Sequence, residues 1–205
     1  SVVLFAVGSG GVFVLSTLLF LLREPANPWP LYLSLPVLLF ICGYSLTKRF
    51  TFLCHVWLGA SLMLAPVAAW IAIRGLNEML TPSLIGLSVL FWVTGFDILY
   101  ACQDVDFDRR TKLSSVPARL GVRGALWVAF GCHLAMLILL GVLYFVEPEL
   151  RAVYLGGICL VALLVLLQHS LVSPSDLSRV NQAFFQVNGV ISIGLFVTVL
   201  VQVLV

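Results

Sequence analysis

The sequence predicts an all-α fold: a polytopic transmembrane helical bundle with about seven spans. Hydrophobic residues make up 61% of the chain and its mean hydropathy is +1.13. Charged residues account for only 10%. Apolar stretches near the length that crosses a ~30 Å hydrocarbon core recur from one end to the other. Each stretch is expected as a helix, because a segment in lipid has to satisfy its own backbone groups.

The first apolar run covers 2–22 and closes at the polar REPANPWP; the second covers 31–47 and closes at KRFT. A third, 54–73, ends at RGLNEML, and the fourth, 81–103, runs into a longer polar segment from Asp104 to about Leu120. The fifth, 121–146, ends at EPELR; the sixth, 152–172, ends at SPSDLSR; the seventh occupies 184–205. These connections leave no room for a soluble domain, so residues 1–205 read as a single transmembrane domain. No basic segment precedes a cleavable apolar core at Ser1, so the first run is not read as a signal peptide.

A net charge of +2 is too small to imply a nucleic-acid partner. Cys42, Cys54, Cys102, Cys132 and Cys159 stand singly among apolar neighbours, as reduced packing residues. Eight of the Lys and Arg residues fall after the second, fourth and sixth runs, and three (Arg23, Arg74, Arg151) fall on the other side. That bias places the first side in the cytoplasm. The aspartates gather on or near it, whereas Glu24, Glu78, Glu147 and Glu149 lie opposite.

The stretch FDILYACQDVDFDRRTK, 96–112, concentrates charge directly after an apolar run. A helix continued through it puts Asp97, Tyr100, Ala101, Asp104 and Asp108 on one stripe and leaves Asp106 off it. Carboxylates four residues apart repel unless a cation lies between them. Mg²⁺ suits the place, since it binds one or two carboxylates and completes its shell with water and phosphate oxygens. Arg109, Arg110 and Lys112 follow as counter-charges for a diphosphate. Taken singly, Asp106, Arg109 and Arg110 are better explained as a solvated helix end. Asp97 is different: inside an apolar span an ionisable residue costs about 2.5–3.5 kcal/mol and faces a cavity or a partner.

The pattern D-x-x-Y-A-x-x-D-x-D-x-D, here Asp97, Tyr100, Ala101, Asp104, Asp106 and Asp108, resembles the second aspartate-rich motif of the UbiA family of membrane aromatic prenyltransferases. Tyr44 with Lys48-Arg49-Phe50-Thr51, SSVPARLG from Ser114 and FFQVNGVISI from Phe184 extend the resemblance along the whole chain. It implies the last seven helices of a nine-span bundle on the cytoplasmic membrane of a bacterium, with the site facing the cytoplasm. The implied activity is Mg²⁺-dependent transfer of a prenyl group from a polyprenyl diphosphate to a small aromatic acceptor. The acceptor would be 4-hydroxybenzoate or a dihydroxynaphthoate, in ubiquinone or menaquinone biosynthesis. Carried onto this chain, Asp104 and Asp108 are the metal ligands and Asp97 a catalytic group beside them. Lys48, Arg49, Arg109 and Lys112 are the phosphate contacts, and Tyr100 and Asn188 the other substrate contacts.

Two features depart from the family pattern. Ser114 stands where the family often has Lys, and the first motif, of N-D-x-x-D-x-x-x-D type, does not occur. The expectation is therefore a chain that begins after the first two helices and is inactive alone. A membrane transporter and a non-catalytic membrane subunit stay open as alternatives, as does the oligomeric state. The prenyl tail is expected among Phe91, Trp92, Phe96, Phe184 and Phe185. His133 is read as a packing residue, and His55 and His169 as interfacial, none with a companion at catalytic spacing.

Overall fold

A computed structural model describes residues 2–204. Its helices are α1 (Val2–Thr17, extended by a 3₁₀ turn Leu18–Leu22), α2 (Trp29–Thr47), α3 (Cys54–Arg74) and α4 (Leu80–Ala101). A 3₁₀ turn, Cys102–Asp104, joins α4 to the short α5 (Val105–Arg110). After it come α6 (Val116–Val146), α7 (Ala152–Ser170), a π-helical turn Gln182–Val187 and α8 (Asn188–Leu204). Seven helical segments are long and apolar enough to cross a membrane, and they coincide with the seven expected runs. The chain is an integral membrane protein, all-α as expected.

Boundaries differ where local chemistry decides them. α6 starts at Val116, five residues ahead of the expected span, because Ser115 caps it: the Ser115 hydroxyl accepts from the Ala118 N–H at 3.2 Å. Pro117 sits in its first turn, where a missing N–H costs nothing. The expected start at 121 instead marks a kink, since Gly121 has φ +71° inside the helix, a conformation glycine adopts without strain.

α4 packs between α3 and α6 and is the centre of the bundle. Glycines permit the close approach. A Cβ on Gly59 of α3 would collide with the Leu90 carbonyl of α4, and one on Gly95 of α4 would lie 2.6 Å from the His133 ring of α6. Small residues at crossings let apolar helices pack where no hydrophobic drive exists. Polar bonds tie both ends of the bundle. At one end Thr81 bonds to Glu147 and Asn27 donates to the Ile71 carbonyl. At the other, the Ser114 N–H donates to the Lys48 carbonyl at 2.7 Å. The candidate site residues Lys48, Asp97 and Asp108 gather at this second end.

Candidate functional site

Asp97, near the end of α4, is held by a residue whose role the sequence did not reveal. Its Oδ2 lies 2.6 Å from Nδ1 of His55, in the first turn of α3. The His55 side chain is 1% exposed and that of Asp97 17%. The other imidazole nitrogen, Nε2, accepts from the Val116 N–H at 3.4 Å. His55 is therefore buried and partnered, not interfacial. The antiparallel run of α3 and α4 supplies the reason: the start of one helix meets the end of the other, although the two residues are 42 positions apart.

Beyond Asp97 the expected continuous stripe is broken. The 3₁₀ turn at Cys102–Asp104 winds at three residues per turn where an α-helix has 3.6, which rotates everything after it by about 60°. Asp104 and Asp108 consequently differ in environment. Asp104 is exposed, whereas Asp108 is 1% exposed and its Oδ2 lies 3.4 Å from the Lys48 ammonium. Asp106 is exposed as Asp104 is.

A cavity of about 510 Å³ adjoins Asp108, bounded by Arg109, Lys112, Arg119, Ser115 and Phe52. Arg109 is steadied by a bond from Nε to the Ala118 carbonyl at 3.2 Å, and the Arg119 guanidinium lies 4.1 Å from the centre of the Phe52 ring. Arg119 was not among the expected contacts. Arg49, by contrast, is exposed and does not line this cavity.

On the membrane side of Asp97 the surroundings are aromatic. Trp92, Phe96, Phe184 and Phe185 line a second cavity of about 510 Å³ between α3, α4 and the π turn. Val89 and Trp92 are shared with a third, apolar cavity of about 540 Å³ that reaches Glu147 at the far end of the bundle. Tyr100 joins this aromatic set, its ring centre 4.4 Å from that of Phe184. Phe91 packs instead against the core of α6, α7 and α8. Asn188 is engaged by protein: its Oδ1 accepts from Trp92 Nε1 at 3.1 Å and Gln168 Nε2 at 3.2 Å, and its Nδ2 donates to the Phe184 carbonyl. Interhelical bonding, the plainer expectation for a polar residue in a span, is what these bonds describe. His133 and His169 also find companions, in each other, at 2.8 Å.

Among the described residues no three His, Cys, Asp or Glu side chains cluster as a self-contained metal site. The donors present suit a metal that needs only one or two carboxylates and takes the rest of its shell from water and phosphate, which is the habit of Mg²⁺. Asp104 is accessible for that role as it stands, and Asp108 would have to share its carboxylate with Lys48.

Comparison with known proteins bears on the fold and the family. The 4-hydroxybenzoate octaprenyltransferases of Nitrosomonas eutropha and Nitrosomonas europaea are each 33% identical to the chain, over 183 and 179 residues. Those alignments cover 86% and 85% of this chain and 60% and 59% of the relatives, so the chain spans about three fifths of their length. A solved apo structure of a UbiA homolog from Aeropyrum pernix K1 superposes with a TM-score of 0.82 at 29% identity, over 96% of this chain and 70% of that one. The sequence pattern of the UbiA prenyltransferase family matches residues 2–190, and the chain belongs to that family.

Proposed function

We infer that the protein transfers a polyprenyl group from a polyprenyl diphosphate to 4-hydroxybenzoate, in ubiquinone biosynthesis. The acceptor rests on the names of the relatives. The observation that carries the reaction is the order of side chains along one continuous piece of chain. The aromatic cavity at Trp92 and Phe96 comes first, then Asp97, then Asp104 and Asp108 with Arg109 and Lys112. At 1.5 Å per helical residue, the seven residues from Asp97 to Asp104 span roughly 10 Å, so the polar groups succeed the aromatic ones along the helix axis.

In this reading the prenyl tail lies against Trp92, Phe96 and Phe184, and Arg109, Lys112 and Arg119 bind diphosphate oxygens. Asp104 and Asp108 would hold Mg²⁺, which supplies charge neutralisation on the departing diphosphate. The carbon–oxygen bond to diphosphate breaks, a carbon–carbon bond to the ring forms, and the ring loses one proton. The apolar walls keep water from the allylic cation. The eight-to-three division of cations supports a cytoplasmic position for this end.

The test uses the protein expressed from its full reading frame, in nanodiscs, with labelled prenyl diphosphate. Product is expected with 4-hydroxybenzoate and Mg²⁺, and Asp104→Asn should lower transfer by on the order of 100-fold or more, against less than about tenfold for Asp106→Asn. Product with a dihydroxynaphthoate alone would replace the acceptor. No product with either would overturn the reading.

A further inference from the structure

His55 has no part in binding diphosphate or prenyl tail as described above, yet it is buried and bonded through both ring nitrogens. Nε2 accepts from the Val116 N–H, so it carries no proton, and the ring's proton sits on Nδ1 and is donated to Asp97. The backbone donor thereby sets the tautomer. Neighbouring bonds repeat the connection: Cys54 Sγ lies 3.6 Å from the Ser114 carbonyl, and the Thr94 hydroxyl donates to the His55 carbonyl at 3.4 Å. Asp97 Oδ1 receives no protein hydrogen bond among the described residues.

We propose that His55 is the positioning residue of the site: one imidazole fixes the Asp97 carboxylate on one side and the Val116 backbone at the start of α6 on the other. Ser115 and Ala118, which line the cavity beside Asp108, belong to the same segment as Val116. The imidazole thus holds the carboxylate and the wall of the anion cavity in register. This deepens the prenyl-transfer reading and rests on it for its kinetic arm.

The experiment compares His55→Ala with His55→Gln in nanodiscs, using the protein from its full reading frame. Glutamine offers an amide donor for Asp97 and a carbonyl that takes the Val116 N–H. The expected result is a loss in kcat of on the order of 10- to 100-fold for His55→Ala and recovery to within about fivefold for His55→Gln. In an Asp97→Asn background, His55→Ala should cost less than about threefold more, because the two act as a unit. A second readout needs no turnover. Amide exchange over 113–119 should rise at least about tenfold in His55→Ala and stay near wild type in His55→Gln. Equal loss in the two variants, additive losses with Asp97→Asn, or unchanged exchange in His55→Ala would each overturn the proposal. A wild type that turns over neither acceptor would overturn the functional reading, while exchange still decides the role of His55.

Discussion

α1 and α4 are both apolar enough to span a membrane, and they sit in different worlds. Only 6% of the first span is buried against protein, compared with 50% of the fourth. α1 packs on α2 with side chains such as Leu4 and Phe5 each 77% exposed. α4 is clasped by α3 and α6, bonded through Asp97 and indented at Gly95. Hydrophobicity places a helix in the membrane but does not say which neighbour it has. Where lipid is as apolar as leucine, packing is decided by close approach and by polar partners.

The largest effect that would sharpen this contrast is steric. Gly59→Val drives side-chain atoms into the α4 backbone and should cost about 3 kcal/mol, measured by reversible detergent unfolding. At Gly11 of α1 an added Cβ would meet nothing within 4 Å, so Gly11→Ala should gain about 0.5 kcal/mol through helix propensity alone. Equal costs at the two positions would break the comparison.

Next comes charge. Lys48→Met strands the buried Asp108 carboxylate and should cost about 1–2 kcal/mol, discounted because Lys48 itself is 34% exposed. It should also weaken diphosphate binding, read as a raised KM for the prenyl donor. Arg49→Gln, at the next position but exposed, should change stability by less than about 0.5 kcal/mol. The smallest effect lies at the junction with the last helix. Asn188→Leu removes the acceptor shared by Trp92 and Gln168 and should cost about 1 kcal/mol in the same unfolding assay.

The seven spans were legible because hydropathy and polar connections are local signals. Asp97 was legible as a residue in need of a partner because its cost inside a span is local too. His55 was not, since its partner is distant in sequence and no spacing rule joins them. One signal was nevertheless available. An ionisable residue in a span calls for a partner at the same depth, and a helix hairpin brings the first turn of α3 level with the last turns of α4. The broken stripe was illegible for another reason. A three-residue 3₁₀ turn leaves apolar periodicity almost unchanged while turning Asp108 inward to Lys48. Arg119 was missed because its position depends on the ring of Phe52, in a different connection.

The Asp97–His55–Val116 chain of bonds also has a direction in time. Synthesis runs from the N-terminus, so His55 enters the bilayer ahead of Asp97, and Val116 follows both. The costly carboxylate reaches the membrane when its donor is already there, and the N–H that sets the tautomer arrives last. The α3–α4 hairpin by itself already contains both partners of the Asp97 bond, and only the Val116 contact waits for α6.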